Sequence, residues 1–360
     1  MTNSGQACTL KKYGLTAALG LAFILLHFNP VIALDDRNTS VVPLIKFTDV
    51  FDGHWLYIRL VGLGQRKVDV PLIFDTGNPG ISVDCGAVLG SEFCTEAGVK
   101  LDKKFLADGI RVTTKKVSQR FEKVIEYGQI AFARVSFGSS ESLVSTSKEI
   151  PFLLRYKEED RATGKTTVTG HMGVFGVSPI DATSSGIWYK SPLTSVKTGS
   201  SLSKGFYISP TGTNWVDCRS NMSNCPLAMS LHIGIDDNIK KEFKLTKIKR
   251  LSSRYPFPTV QACVAFQNQR VCKQTVFDTG SPKTMISQKA QNSSNPFLPA
   301  GESATLSGPA VGEWRFETKS NGEILLTDAI AFNVLGIHYF EENSLLFDLE
   351  TGQIGFRTGR

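Results

Sequence analysis

The chain beyond residue 33 consists mainly of short apolar, β-branched runs that Gly, Ser, Asn and Pro interrupt, and few stretches have a helical period. Such runs, bounded by turn residues, are typical of β-strands. Residues 55–61 and 67–74 make one pair of runs around a turn at residues 62–64, which predicts a β-hairpin. We therefore expect an all-β protein.

A second hairpin is predicted in the other half of the chain. Residues 263–266 and 269–272 form two arms around a two-residue turn, Gln267-Asn268, and the second arm continues to Phe277. The polar, Gly- and Ser-rich segments 157–167 and 288–310 are predicted to be surface loops. The same hairpin module thus occurs once in each half.

The first residues have the pattern of a secretory signal peptide. Lys11-Lys12 precede an apolar stretch over residues 13–28, and Val31-Ile32-Ala33 offer a small residue for cleavage. An uncleaved anchor helix is the alternative, but Asn29-Pro30 interrupt the run and spanning needs about 20 apolar residues. We expect removal of residues 1–33 and a secreted or otherwise extracytoplasmic protein, such as one in a periplasm or an endomembrane lumen.

Charge and composition narrow the class of partner. The 360 residues are 41% hydrophobic and carry a formal net charge of +7, so a sizeable core is feasible. The Lys and Arg residues are dispersed rather than grouped on one stretch. A solvated surface explains this dispersal better than a nucleic-acid or anionic-membrane partner.

Six of the seven cysteines fall into local pairs, and Cys8 belongs to the predicted signal peptide. Six cysteines allow about 15 connectivities, so the sequence alone leaves the pairing open. Facing positions in the second hairpin favour a disulfide between its two cysteines. Zinc is the alternative, but the histidines at 27, 54, 171, 232 and 338 are dispersed along the chain and no C-x-x-C occurs. The candidate disulfide pairs are Cys85 with Cys94, Cys218 with Cys225, and Cys263 with Cys272.

One tetrapeptide, Phe-Asp-Thr-Gly, occurs twice, at residues 74–77 and 277–280. Each copy follows the second arm of a predicted hairpin. A single Asp-Thr-Gly is a weak signal, whereas two copies in the same context are rare by chance. Paired carboxylates can activate water without a metal, a Ser/His pair or a free thiol. We infer that Asp75 and Asp278 are a catalytic pair.

These features resemble the pepsin-like aspartic proteases over residues 54–360. Tyr127-Gly128 resembles the flap that closes over the substrate with a Tyr at its tip. Further matches in the family's order are Val174-Phe175-Gly176, Val334-Leu335-Gly336, the inter-lobe strands near 205–210 and 231–234, and the closing strands at 345–356.

The resemblance implies a bilobal fold, with an N-terminal lobe at 34–237 and a C-terminal lobe at 238–360 related by a pseudo-twofold axis around a central cleft. It implies a monomeric endopeptidase that acts on protein or peptide substrates without a cofactor or metal. The two carboxyls would share one proton, as they do in pepsin. The supporting residues would be Thr76, Gly77, Asn78, Thr279, Gly280 and Ser281.

The first turn departs from the family pattern. Asn78 replaces the usual Ser or Thr, and Ser82 lies in a stretch that usually carries a Trp supporting the flap Tyr. In the second turn, Ser281 is expected to donate to Asp278. The alternative function is therefore a catalytically impaired pepsin-like binding or inhibitor protein. His54, His171, His232 and His338 are expected to be structural or exposed.

Overall fold

Two large β-sheets make up most of the computed structural model. It describes residues 39–49, 53–121, 124–167, 171–184, 187–218, 221–252, 257–290 and 295–359. The predicted signal peptide, 1–33, lies outside these ranges. The strands of the first half are β1 (Ser40–Thr48), β2 (His54–Leu63), β3 (Arg66–Asp75), β4 (Pro79–Asp84), β5 (Cys94–Thr95), β6 (Gly98–Val99), β7 (Arg111–Arg120), β8 (Val124–Ala133), β9 (Val135–Gly138), β10 (Leu143–Ser145), β11 (Ile150–Asp160), β12 (Gly173–Val177), β13 (Ala182–Ser184), β14 (Ile187–Tyr189), β15 (Ser203–Ile208) and β16 (Leu227–Ile235).

The remaining elements follow in chain order. The strands are β17 (Lys244–Lys247), β18 (Lys249–Arg250), β19 (Pro258–Phe266), β20 (Gln269–Phe277), β21 (Thr284–Ser287), β22 (Ser303–Gly308), β23 (Gly312–Glu317), β24 (Ile324–Thr327), β25 (Asn333–Leu335), β26 (Ser344–Asp348) and β27 (Gln353–Arg357). The helices are short: α1 (Cys85–Leu89), α2 (Lys103–Ala107), α3 (Asp237–Lys241) and α4 (Ile337–Glu342), with single 3₁₀ turns at Ser91–Phe93, Pro192–Ser195 and Met222–Asn224. The predicted all-β class is confirmed.

The two sheets correspond to the two halves of a bilobal fold. The first runs in the order β17-β27-β26-β15-β16-β1-β2-β3-β12-β4-β11-β8-β7, with β9 beside β2 and β10 beside β9. The second runs β23-β22-β19-β20-β25-β21-β24, with β18 beside β19. Strands β17, β26 and β27 come from beyond Asp237 yet complete the first sheet. The lobe boundary at Asp237 itself stays a prediction.

Both predicted hairpins are present. In the second, Gln267 and Asn268 have φ of 45° and 62°, which is the left-handed conformation that a two-residue hairpin turn requires. In the first, β2 continues through residues 62 and 63, and the turn lies at Gly64, with φ of 60°, and Gln65. The predicted turn at residues 62–64 was therefore placed about two residues too early.

Each hairpin delivers its Asp beside a parallel strand from later in the chain. In the first half, β12 pairs with β3, with Phe175 opposite Phe74 and Gly176 opposite Asp75. In the second half, β25 pairs with β20, with Leu335 opposite Phe277. Two segments that match the family, Val174-Phe175-Gly176 and Val334-Leu335-Gly336, thus lie directly beside the two Asp-Thr-Gly turns.

The aromatic residue before each Asp anchors its turn in the core. Phe74 and Phe277 are 0% and 1% exposed. The ring of Phe277 lies 4.7 Å from Tyr339 and 4.8 Å from Phe356, centroid to centroid. Truncating such a Phe to Ala costs about 3–5 kcal/mol. The turns are therefore held by core packing as well as by hydrogen bonds.

Three disulfides confirm the predicted cysteine pairs. They join Cys85 to Cys94, Cys218 to Cys225, and Cys263 to Cys272. Cys263 and Cys272 face each other across the β19–β20 ladder, as the hairpin argument required.

The predicted surface loops are partly wrong. Residues 157–160 continue β11, where they pair with β8, and residues 303–308 form β22. Polar and charged residues in these two strands look like loop residues in the sequence, because their pairing with distant strands leaves no local pattern. Among the described residues, no helix is long and apolar enough to cross a membrane.

Candidate active site

Asp75 ends β3 and lies almost entirely out of solvent, with 4% of its surface exposed. Its carboxylate accepts three hydrogen bonds from the following turn. The backbone N–H groups of Gly77 and Asn78 donate to Oδ1 at 2.7 and 2.9 Å, and the side-chain amide of Asn78 donates to Oδ2 at 2.8 Å. These donors favour the ionised form of Asp75.

Asp278 follows β20 and receives less support from its own turn. The N–H of Gly280 donates to its Oδ1 at 2.8 Å. The hydroxyl of Ser281 donates instead to the carbonyl of Lys283 at 2.7 Å. The expected bond from Ser281 to Asp278 is therefore wrong, because a hydroxyl has a single proton to donate.

Each carboxyl group lies against the glycine of the opposite turn. A Cβ added to Gly77 would lie 2.8 Å from Cγ of Asp278, and one added to Gly280 would lie 2.6 Å from Cγ of Asp75. No side chain fits at such distances, so both positions need glycine. The two carboxyls are also close enough for the negative charge of Asp75 to raise the pKa of Asp278. The two Asp-Thr-Gly turns thus meet face to face.

The threonines of the motif lock this arrangement. The N–H of Thr76 donates to Oγ1 of Thr279 at 3.1 Å, and the N–H of Thr279 donates to Oγ1 of Thr76 at 3.0 Å. Each hydroxyl then donates across the interface to the carbonyl before the other Asp, Thr76 to Phe277 at 2.7 Å and Thr279 to Phe74 at 2.6 Å. Both threonines are fully buried, and each of these N–H, hydroxyl and carbonyl groups has a hydrogen-bond partner, as buried polar groups require.

Burial raises the pKa of both carboxyl groups above the ordinary value. For Asp75, the Asn78 side-chain and backbone donors oppose this increase. For Asp278, the negative charge of Asp75 adds to the burial, and its pKa rises well above the usual range. With three donors on Asp75 and one from its own turn on Asp278, the hydrogen bonds favour an ionised Asp75 and a protonated Asp278. Such a pair can take a proton from a water with one carboxylate while the other donates to a carbonyl oxygen.

The flap prediction needs correction. A hairpin of β7 and β8 is present, and the N–H of Phe121 donates to the carbonyl of Val124 at 2.9 Å next to its turn. Tyr127 lies inside β8, opposite Ser118, rather than at the tip. Its hydroxyl donates to Glu159 at 2.7 Å. Gly128 is buried in the same strand, where a Cβ would lie 2.4 Å from Leu153.

A buried polar network that was not predicted from the sequence joins this hairpin to β4, the strand after Asp75. Glu126 of β8 accepts from the Ser82 hydroxyl of β4 at 2.6 Å and from Gln119 of β7 at 2.6 Å. Arg155 of β11 donates to Glu126 at 3.0 Å and to Glu158 at 2.6 Å. The available signal was Arg155 in an apolar strand, since a buried guanidinium requires acidic partners.

Comparisons with known proteins support the fold. No protein-family model and no curated protein sequence matches the chain. Among solved structures, it is similar to the aspartic proteinase from Irpex lacteus, with a TM-score of 0.54 and 13% sequence identity, over 88% of this chain and 97% of that one. The protein has the all-β bilobal fold of the aspartic proteinases. At this identity the likeness shows the fold alone.

Proposed function

We propose that the protein is an extracytoplasmic aspartic endopeptidase. The observation that carries the proposal is the reciprocal placement of the two carboxyls, Asp75 against Gly280 and Asp278 against Gly77. Loss of either carboxyl or either glycine would destroy this arrangement, and all four residues are present. Three disulfides also favour an oxidising compartment, in agreement with the expected signal peptide.

In the proposed mechanism, ionised Asp75 takes a proton from a bound water, which attacks the scissile carbonyl carbon. Protonated Asp278 hydrogen-bonds the carbonyl oxygen and stabilises the negative charge that develops there. Asp75 then returns its proton to the leaving amine as the tetrahedral intermediate collapses. Asn78 holds Asp75 ionised and oriented during the first step through its bond to Oδ2.

The direct test uses purified mature protein and denatured globin from about pH 3 to 7, the range where a carboxylate pair titrates. We expect cleavage that a statine-type transition-state mimic blocks. Asp75→Asn and Asp278→Asn should each abolish it while circular dichroism stays unchanged. Full activity in both variants would overturn the proposal. Absence of cleavage in the wild type at every pH would support the non-catalytic binding or inhibitor protein instead.

A further inference from the structure

Two histidines that are far apart in the sequence meet beside a buried carboxylate, and none of the three residues belongs to the two Asp-Thr-Gly turns. His54 is the first residue of β2, and His338 and Glu341 lie three positions apart on α4. The two imidazole rings are 5.3 Å apart, centroid to centroid. The prediction from dispersed histidines, that no metal site exists, did not anticipate this contact.

The ligand atoms have the separations that a tetrahedral ion requires. Glu341 Oε1 lies 3.3 Å from Nδ1 of His338 and 3.5 Å from Nδ1 of His54. Ligands about 2.0–2.1 Å from a tetrahedral zinc lie about 3.3 Å from each other. One atom from each of the three residues falls within 4.8 Å of the others, which happens for no other such group among the residues that the structure describes.

The hydrogen bonding of His54 points to a missing partner. Its Nδ1 atom is buried and makes no hydrogen bond, although it faces Oε1 of Glu341. Buried polar nitrogens are usually paired, and each exception needs an explanation. A lone pair of Nδ1 directed at an ion between the two imidazoles and the carboxylate would satisfy this atom.

Neighbouring groups hold the candidate ligands in place. The indole N–H of Trp215 donates to Oε1 of Glu341 at 2.7 Å, and the His54 ring stacks on the same indole at 4.6 Å. Lys319 binds the other oxygen, Oε2. In known metal sites, such contacts orient the side chains that bind the metal directly. Glu341 therefore keeps Oε1 directed at the two imidazoles.

The cluster is also accessible from outside. A cavity of about 500 Å³ opens beside the cluster and is lined by His338 and Glu341. Glu323 also lines it, with Oε1 3.5 Å from Nδ1 of His338, in reach of a fourth ligand position.

We propose that His54, His338 and Glu341 bind a divalent transition metal of the zinc class, with a water or Glu323 in the fourth position. Two imidazoles and one carboxylate suit Zn²⁺. The ion would connect β2 to α4, and α4 begins just after β25, whose Leu335 carbonyl accepts from the N–H of Asp278 at 2.9 Å. The site therefore stabilises the part of the fold that holds the second Asp.

The test measures metal binding on the chelator-treated full chain. We expect one Zn²⁺ per chain in competition with a chromogenic chelator, a Co²⁺ complex with the visible absorption of tetrahedral cobalt, and a Tm increase of about 3 °C or more at saturating Zn²⁺. His54→Gln and His338→Gln should each weaken Zn²⁺ binding about 100-fold or more. Trp215→Phe, which loses a supporting contact, should weaken it about tenfold.

The matched control is His232→Gln, because His232 stacks on Tyr207 at 4.2 Å, outside the cluster. It should bind Zn²⁺ as the wild type does, and so should Asp75→Asn, which separates this proposal from the protease activity. Circular dichroism of the metal-free variants checks that each one folds. Wild-type protein without stoichiometric binding, or folded His54→Gln and His338→Gln variants with unchanged affinity, would overturn the proposal.

Discussion

Asn78 donates its side-chain amide to Oδ2 of Asp75 at 2.8 Å, whereas Ser281, in the matching position of the second turn, makes no such bond to Asp278. The sequence predicted an orthodox second turn, in which Ser281 supports Asp278, and a first turn in which Asn78 departs from the family pattern. In the structure, the unusual residue supplies the support. The two carboxyls thereby acquire different affinities for the proton that they share.

Replacing Asn78 with Ala should move the acid limb of the pH–rate profile to higher pH. The amide stabilises the ionised form of Asp75, so its removal raises the pKa of the group that must be ionised to accept a proton. A hydrogen bond to a charged group contributes about 1.5–3 kcal/mol, which corresponds to a shift of about 1–2 pH units. The measurement is kcat/KM for a fluorogenic peptide against pH.

The control for this prediction is Ser281→Ala in the equivalent position. The Ser281 hydroxyl donates to the Lys283 carbonyl and not to a catalytic carboxyl, so the acid limb of the pH–rate profile should lie at the same pH as in the wild type. An acid-limb shift in Ser281→Ala with none in Asn78→Ala would show that the proton resides on the other carboxyl.

Asp278→Asn should stabilise the protein at neutral pH more than at acid pH. The folded-state pKa of Asp278 lies well above the ordinary value, so the folded state binds its proton more tightly than the unfolded chain does. The stability that this proton contributes is complete below about pH 4, the unfolded pKa, and is lost as the pH rises through the folded pKa. The Asn variant does not titrate and avoids this loss.

Tm values of the wild type and the variant from about pH 3 to 7 check this prediction. The difference in Tm should be smallest at pH 3 and should grow toward pH 7. Asp75→Asn is the comparison. The hydrogen bonds from Asn78 oppose the increase in the pKa of Asp75, so this variant should gain less stability than Asp278→Asn toward pH 7. A Tm difference that shrinks as the pH rises would contradict the assignment.

The sequence was sufficient to predict the hairpin modules, because turn residues and alternating runs are local signals. The parallel pairing of β3 with β12 and of β20 with β25 was not predicted, since the partners are far apart in the sequence. Strand β1 was missed for the same reason. Its residues 40–48 pair with β2 and β16, and neither contact leaves a local pattern.

The site was predictable where one residue type has one possible role. Few residues other than glycine allow a carboxyl group to approach the turn backbone this closely, and few other than threonine can make the reciprocal buried hydrogen bonds between the turns. The four residues with these roles therefore lie where the resemblance implied: Gly77, Gly280, Thr76 and Thr279. The direction of a flexible donor is not predictable in this way. Ser281 was expected to donate to Asp278, and only the three-dimensional structure shows that it donates to the Lys283 carbonyl.

Replacing Thr76 with Val should cost about 3 kcal/mol in the free energy of unfolding. Valine keeps the shape but leaves the buried N–H of Thr279 and the carbonyl of Phe277 without partners, each worth about 1–3 kcal/mol. Urea unfolding monitored by tryptophan fluorescence measures the loss. Thr76→Ser keeps the hydroxyl and should lose clearly less. A larger loss in Thr76→Ser than in Thr76→Val would mean that packing of the methyl group, and not the hydrogen bonds, holds the turns together.

Ser82→Ala should lower kcat/KM more than Tyr127→Phe does. The Ser82 hydroxyl joins the strand after Asp75 to Glu126 of the β7–β8 hairpin, and its loss leaves a buried carboxylate oxygen short of one donor. Tyr127 directs its hydroxyl at Glu159 on the neighbouring strand, so Phe should change little. If the hairpin closes over substrate, the Ser82–Glu126 hydrogen bond helps to set its closed position. A misplacement of the hairpin by about 1 Å can lower the rate up to 100-fold.

The two variants are matched because each removes one hydroxyl that donates to one carboxylate of the same sheet. Steady-state kinetics with a peptide substrate would separate them, and thermal unfolding would show whether either change acts through stability alone. We expect a several-fold decrease for Ser82→Ala and activity within about twofold of wild type for Tyr127→Phe. The reverse order would restore Tyr127 as the residue of the hairpin that contacts substrate, despite its position inside β8.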